Sequence, residues 1–251
     1  ILLFQQQRMF DILCCWYYTV MRVQRYVEGS IVHVTKRGGR GLAIVSNNHD
    51  RERFRRLLYH MNDHYADDAW ESDTARLGPF ERPAHWPRKE PLVDLLAFTL
   101  LTNHFHILVR ARSEGSVGKF IKRVTASMSK YHNAKYKTVG SLFQGSYTGR
   151  TVDEEKYLQY VAGYIMIKNT LELRPRVSNR NSDNFNEAWK WITECPWSSL
   201  GHYAQKTVMP EIEDAILKKI FPNYEELKKY GREYLAGRFD SPTYLQTTKD
   251  I

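Results

Sequence analysis

The sequence predicts an α+β fold in which helices pack on an antiparallel sheet. Short apolar runs rich in β-branched residues predict strands, and longer segments with apolar residues every three to four positions predict helices. With 251 residues, the chain can bury one substantial core, so we expect one main domain with at most a small appendage.

The first part of this fold is predicted to contain two strands and a helix. Gly29–Thr35 alternates and predicts a strand, and a basic, glycine-rich turn separates it from a second short apolar run, Leu42–Val45. Asp50 is expected to cap the helix that follows. Ala66–Pro91 is first acidic and then rich in Pro and Trp, which predicts a long loop.

The middle of the chain predicts paired strands and two further helices. Leu92–Leu101 and Phe105–Val109 are separated by three residues and are expected to be neighbouring antiparallel strands. A helix is predicted for Val117–Tyr136, a strand or hairpin for Gly140–Arg150, and another helix for Asp153–Asn169. This order of elements is compatible with a ferredoxin-like α+β sandwich.

The remainder is predicted to be a linker and a helical tail. The polar run Ser178–Asn184 predicts the linker, and Ile212–Ile220 and Tyr224–Leu235 have helical patterns. We therefore predict a main domain over residues 21–176 and an extension over residues 177–251. Residues 1–20 are expected to be an upstream extension, with Met21 as the start.

Composition and charge restrict the class of protein. The formal charge of +9 and the pI near 9.4 favour a polyanionic partner, of which nucleic acid is the commonest. No apolar run approaches the ~20 residues that span a bilayer, so an integral membrane protein is not expected. The three cysteines, Cys14, Cys15 and Cys195, have neither disulfide-framework nor zinc-finger spacing, which fits a reducing cytosol.

Two histidines form a candidate metal site. His104 and His106 are two residues apart on a predicted strand, so both side chains project from one face and can share a divalent cation. From spacing alone, one histidine in the core and one at the surface is an open alternative. His33 on the first strand could face the same surface, although a structural role is the expected one.

A basic stretch is the second signal. Between Gly115 and Val152 there is no acidic residue, and Tyr131 is interleaved with cations that could contact a phosphate backbone. The alternative is a core aromatic residue among solvated lysines. Arg37 and Arg40 in the glycine-rich turn could bind the phosphates of a hairpin. The other candidate DNA-binding residues are Lys119, Lys122, Arg123, Lys130, Lys135, Lys137 and Arg150.

Five ordered blocks point to a family. They are VHVTKRGGRG, LTNHFHILV, GSLFQGSYTGRTV, DEEKYLQYVAGYI and PWSSLGHY. In this order they resemble the REP-associated tyrosine transposases within the HUH single-strand transposase superfamily. The resemblance implies a ferredoxin-like antiparallel sheet with helices on one face. It also implies that His104 and His106 bind Mg²⁺ or Mn²⁺ and that Tyr164 is the nucleophile.

The resemblance also implies the reaction. A tyrosine attacks single-stranded DNA at a hairpin-forming repeat, forms a 5′-phosphotyrosine and frees a 3′-hydroxyl, which allows strand transfer without ATP. The implied partner is single-stranded or hairpin DNA, bound by a monomer or homodimer in a prokaryotic-type cytoplasm, in association with the nucleoid. An HUH replication initiator or relaxase, and a catalytically inactive, domesticated hairpin-binding protein, are the alternative hypotheses.

Two features near the nucleophile remain open. Tyr157 and Tyr160 lie on the same predicted helix as Tyr164 and could also reach the site, although packing is their expected role. The family commonly has Asn or Gln one turn after the nucleophile, whereas this chain has Lys168 followed by Asn169. Because an ammonium group cannot ligate a metal, the third ligand is Asn169 through a helix irregularity, or water, or Lys168 supplies part of the charge.

Overall fold

A four-stranded antiparallel sheet forms the centre of the fold. The computed structural model describes residues 26–65, 69–175 and 184–238. The strands are β1 (Ile31–Arg37), β2 (Val93–Leu100), β3 (His104–Ala111) and β4 (Thr148–Thr151), and they lie in the order β2-β3-β1-β4. Every neighbouring pair is antiparallel. The α+β fold and the ferredoxin-like strand order are therefore confirmed.

The helices follow the strands in the predicted places, with some additions. A wide, π-helical turn at Tyr164–Lys168 interrupts the helix predicted for Asp153–Asn169, and a 3-10 turn lies at Gly39–Gly41. The helices are α1 (Asn48–His60), α2 (Trp70–Asp73), α3 (Ser116–Tyr136), α4 (Glu155–Gly163), α5 (Asn169–Glu172), α6 (Phe185–Glu194), α7 (Leu200–Tyr203), α8 (Ala215–Ile220) and α9 (Tyr224–Leu235).

The sheet has an apolar layer on each face. On one face, alternate residues of the strands, such as Val34 and Ile107, pack against α1 and α3. On the other face, Leu96 and Leu108 pack against α4, the wide turn, α6 and α9. The helices therefore cover both faces and not one, because β2 is buried along its whole length and needs cover on both sides. Helices of the predicted tail supply part of the second layer.

The tail is joined to the sheet by hydrogen bonds as well as packing. Tyr203 Oη donates to Leu96 O at 2.6 Å, and the Leu100 N–H donates to Trp197 O at 2.9 Å. The boundary at residue 176 stays a prediction, and the predicted extension at residues 1–20 lies outside the described residues. Within the described ranges, no helix combines the length and apolar character needed to cross a membrane.

Two local predictions are corrected. Leu42–Val45 is not a strand, because the amides of Ile44 and Val45 both donate to the single carbonyl of Thr102 and form no ladder. Asp50 does not cap α1. Asn47 is the capping residue, and its side chain accepts a hydrogen bond from the Asp50 N–H.

A buried histidine of α1 makes stability depend on pH. His60 is 3% exposed, and burial lowers its pKa from 6.5 to about 4, although a hydrogen bond to Pro79 O acts in the opposite direction. The unfolded chain binds a proton below pH 6.5, whereas folded His60 stays neutral down to about pH 4. The free energy of unfolding should therefore fall across that window, by at most about 1.4 kcal/mol per pH unit for this group.

Urea denaturation of the wild type and of His60→Gln between pH 7 and pH 4.5 measures this effect. We expect the stability of the wild type to fall more steeply with decreasing pH than that of the variant. If the free energy of unfolding fell equally with decreasing pH in both proteins, His60 would not be the group that makes stability depend on pH.

Candidate active site

The predicted histidine pair lies on the face of the sheet that carries α4 and the wide turn. His104 and His106 project from the same face of β3, as the period of two predicted. β1 runs beside β3, so Thr35 lies opposite His106 and Arg37 lies opposite His104. On the other side of β1, Arg150 of β4 lies opposite His33. The register thus places polar side chains of three strands together.

Contacts of the imidazoles determine which nitrogen each can offer to a cation. His104 Nδ1 lies 2.7 Å from Asn103 Oδ1, and His106 Nδ1 lies 3.0 Å from both Thr35 Oγ1 and His33 Nε2. Because both Nδ1 atoms are engaged, Nε2 is the ring nitrogen with which each histidine can bind a metal. The two ring centroids are 5.0 Å apart, close enough for one shared ion.

Burial keeps the inner histidines neutral. Burial lowers the pKa of His106 well below 6.5, and the nearby His33, His104 and Lys168 lower it further. Burial also lowers the pKa of His33 to about 4. A neutral imidazole is the form that ligates a cation, so His106 is ready to bind at neutral pH.

Tyr164 is the tyrosine that the fold brings to the histidines. Its ring centroid lies 5.5 Å from that of His106 and 5.9 Å from that of His33. The Nζ of Lys168 lies 4.9 Å from the centre of the same ring. Tyr157 and Tyr160 instead pack within the helical layer on this side of the sheet, where the Tyr160 ring lies 5.2 Å from Tyr234. Both side chains therefore have the packing contacts that the sequence predicts for them.

The wide turn changes the helical register directly after Tyr164. The Asn169 N–H donates to Tyr164 O, five residues earlier, whereas an α-helix would bond residues four apart. Asn169 therefore takes the hydrogen-bonding position that residue 168 would have in an uninterrupted α-helix. Its side chain is buried, and Nδ2 has no hydrogen-bond partner in the described part of the chain. A buried amide of this kind is suited to an additional polar partner.

These residues fit a divalent cation with a partly open coordination sphere. No cluster of three or more His, Cys, Asp or Glu residues with metal-binding geometry occurs among the described residues. Two histidine nitrogens are therefore the protein ligands at hand, and an amide oxygen, water or phosphate oxygens would complete the sphere. Mg²⁺ and Mn²⁺ accept oxygen ligands of this type.

A cavity of about 690 Å³ joins the histidines, Tyr164 and two arginines. Arg37 and Arg150, both predicted to bind DNA, line it. Sequence reasoning missed several polar residues of this cavity, which are Thr35, Thr102, Asn103, Gln144, Ser146, Thr148 and Glu172. The alternation of β1 could have indicated Thr35, whereas Glu172 depends on the wide turn and has no sequence signal.

The basic residues of α3 lie elsewhere. This helix packs on the opposite face of the sheet from the histidines, with Phe120 and Val124 in that core. Lys119, Lys122 and Lys130 are exposed there, and Arg123 donates to backbone carbonyls of Asp63 and His64. Lys137 ends α3, and Arg40 is exposed in the 3-10 turn. The basic residues of α3 therefore do not form one surface with the histidine pair, whereas Arg150 of the same basic stretch does.

Two predicted DNA-binding residues, Tyr131 and Lys135, contact the buried carboxylate of Asp50 in α1. Tyr131 Oη and Lys135 Nζ bond Asp50 Oδ1 at 2.7 and 2.6 Å, and Tyr136 Oη donates to Asp50 Oδ2 at 2.6 Å. Although burial acts to raise it, these donors and the Ser46 N–H hold the pKa of Asp50 below its ordinary value. Tyr131 and Lys135 thus stabilise the contact between α1 and α3.

Comparisons with known proteins agree with this geometry. The family model described as "Transposase IS200 like" matches residues 88–168, which include both histidines and Tyr164. Over these residues the chain is similar to the IS200-like transposase family. The match covers about a third of the chain and agrees with the transposase family predicted from the sequence blocks.

One similar solved structure is described as "Structure of the REP associates tyrosine transposase bound to a REP hairpin". The similarity covers 77% of this chain and 90% of that chain, at 11% identity and a TM-score of 0.39. Similarity at this level supports no argument about function. No curated protein matches the sequence.

Proposed function

We propose that this transposase-family chain is a divalent-cation-dependent endonuclease and strand transferase that acts on single-stranded, hairpin-forming DNA through Tyr164. The observation that carries the proposal is the position of Tyr164, which lines the same cavity as His104 and His106. A nucleophile, candidate metal ligands and phosphate-binding arginines in one cavity are the parts that covalent phosphodiester cleavage needs.

The roles of the residues follow from their positions. Tyr164 Oη attacks the scissile phosphorus and forms a phosphotyrosine bond, while the bond from phosphorus to the 3′-oxygen breaks. The phenolic proton is lost to solvent, and the departing 3′-oxygen takes up a proton. Arg37 and Arg150, which line the same cavity as the histidines, bind flanking phosphates. In the reverse direction a 3′-hydroxyl attacks the phosphotyrosine, which rejoins DNA and releases Tyr164.

His104 and His106 would hold Mg²⁺ or Mn²⁺ through their Nε2 atoms. A bound cation supplies charge neutralisation at the non-bridging phosphate oxygens. Thr35 and His33 fix the ring of His106 and Asn103 fixes that of His104, so both imidazoles are oriented before DNA binds. Asn169 is our candidate for the third ligand, because the register change after Tyr164 gives it the place of the family's Asn or Gln.

The proposed partner follows from charge and chemistry. The excess of basic residues favours DNA, and the sequence resemblance favours a hairpin-forming strand. The exposed lysines of α3 would contact phosphates remote from the cleavage point. We expect a monomer or homodimer to cleave DNA, in a prokaryotic-type cytoplasm near the nucleoid.

A covalent adduct tests the proposed function. The full chain is incubated with Mn²⁺ and a panel of 3′-labelled single-stranded hairpins, and the products are separated on a denaturing gel. We expect labelled DNA to migrate with the protein in Mn²⁺ and not in EDTA. Tight DNA binding without an adduct across the panel would instead favour the inactive, domesticated hairpin-binding protein, which is the second candidate because Lys168 departs from the family pattern.

Lys168 gives a separate prediction about pH. Its ammonium group lies 4.9 Å from the centre of the Tyr164 ring, so its positive charge would stabilise negative charge that develops on the nucleophile. We expect Lys168→Met to reduce the cleavage rate at pH 7 about tenfold and to shift the rise of the rate to higher pH, whereas Lys168→Arg stays close to the wild type. Identical pH profiles for all three proteins would remove Lys168 from the mechanism.

A further inference from the structure

A cluster of buried hydroxyl groups lies under the wide turn that carries Tyr164. Thr99 Oγ1 donates to Ile165 O at 2.5 Å, and Thr170 Oγ1 donates to Met166 O at 2.5 Å. Ser198 Oγ also donates to Met166 O at 3.4 Å and lies 3.3 Å from Thr99 Oγ1. All three side chains are fully buried, and we call them the hydroxyl cluster.

The cluster provides donors where the helix changes its hydrogen bonding. In an α-helix, Ile165 O would accept from the Asn169 N–H, but here that N–H donates to Tyr164 O. The hydroxyl of Thr99 donates to Ile165 O in its place. A buried carbonyl without a donor is costly, so this side-chain donor stabilises the wide turn relative to a regular α-helix.

The cluster also joins the turn to the strand of the histidines. Thr99 lies on β2 directly opposite His106 of β3, on the same face of the sheet. Ser198 forms a backbone bridge with Thr99, so the tail contributes to the same connection. Thr99 is thus the cross-strand neighbour of His106, a proposed metal ligand, and its hydroxyl is hydrogen-bonded to the turn that carries the proposed nucleophile.

We propose that Thr99 is a positioning residue, whose hydroxyl sets the helical register at Tyr164–Lys168 and thereby the positions of Tyr164 and Asn169 relative to His106. The catalytic half of this inference rests on the proposed function. Its structural half, that the Thr99 hydroxyl stabilises the wide turn, stands without it.

The test compares Thr99→Val with Thr193→Val. Thr193 is a matched control because it is equally buried and its hydroxyl donates to carbonyls of a helix, Trp189 O and Lys190 O, at 2.9 and 3.0 Å. Hydrogen exchange of the peptide that contains the wide turn, DNA affinity without metal, and single-turnover cleavage in Mn²⁺ are measured for each variant and for Thr99→Ser.

We expect Thr99→Val to accelerate exchange in the wide turn and to slow cleavage about ten- to a hundredfold without weakening DNA binding, because small displacements of reacting groups have large effects on rate. Thr99→Ser keeps the hydroxyl, so its exchange in the wide turn and its cleavage rate should stay close to those of the wild type. Thr193→Val should change neither quantity. If Thr99→Val does not fold, Thr170→Val removes the neighbouring hydroxyl and carries the same expectations.

Unchanged exchange in the wide turn, or cleavage by Thr99→Val as fast as by Thr193→Val, would overturn the inference. A wild type that forms no adduct would refute the proposed nuclease and the catalytic half of the inference. The exchange measurement would then still decide whether the hydroxyl holds the turn.

Discussion

Replacing Tyr164 by phenylalanine is expected to abolish the covalent protein–DNA adduct, with a loss of cleavage on the order of a thousandfold or more, while hairpin affinity stays within about twofold. The substitution removes the one oxygen that attacks phosphorus and keeps the ring that packs beside His106 and His33. Adduct formation on denaturing gels and gel-shift affinity without metal measure the two effects.

Tyr160→Phe is the matched control for this experiment. Tyr160 lies one helical turn earlier, but its ring packs against Tyr234 and not against the histidines. We expect Tyr160→Phe to form the adduct at the rate of the wild type. An adduct that persists in Tyr164→Phe and disappears in Tyr160→Phe would show that Tyr160, and not Tyr164, is the nucleophile.

The second large effect is expected for the metal ligands. His104→Ala should raise the Mn²⁺ concentration that gives half-maximal cleavage on the order of a hundredfold, because one of two histidine ligands is lost. His104 is partly exposed, so its removal leaves the core intact. The free-Mn²⁺ signal in electron paramagnetic resonance measures binding directly, and the concentration of Mn²⁺ that gives half-maximal cleavage measures its consequence.

His132→Ala controls for the loss of any histidine. His132 lies on α3, on the other side of the sheet, in contact with the Tyr136 ring. This variant should titrate with Mn²⁺ as the wild type does. If His104→Ala also titrated normally, the histidine pair would not be the metal site.

The position of the histidine pair could be predicted from the sequence because successive side chains of a strand point to opposite faces of the sheet. Two residues two apart on β3 must share a face, and the run of apolar residues around them identified the strand. The ordered sequence blocks then indicated which tyrosine of three on one helix is relevant. In the structure, His104 and His106 share a face of the sheet, and the Tyr164 ring lies beside His106.

The basic stretch was the weaker inference, because charge along a segment does not reveal which side of a sheet the segment covers. α3 and β4 both belong to this stretch, yet only β4 reaches the histidine face, where Arg150 lies. The contacts of Tyr131 and Lys135 could not be predicted for a related reason, since their partner Asp50 is some eighty residues away in sequence.

The sequence predicted the wide turn only as one of three explanations for Lys168, namely a helix irregularity that brings Asn169 to the site. A π-helical turn differs from an α-helix by one residue in register and has no distinctive composition, and here it depends on a hydroxyl from a distant strand. The departure of Lys168 from the family pattern was its only trace in the sequence. The absence of the predicted strand at Leu42–Val45 likewise depends on hydrogen bonds to Thr102, which is remote in sequence.

The most direct test of the proposed nucleophile is to identify the residue that is covalently linked to the DNA. The adduct formed in Mn²⁺ is digested with protease and nuclease, and tandem mass spectrometry locates the residual nucleotide on the peptide that contains Tyr157, Tyr160 and Tyr164. We predict a 5′-phosphate link to Tyr164 alone. A nucleotide on either of the other two tyrosines, or on another residue of the chain, would contradict it.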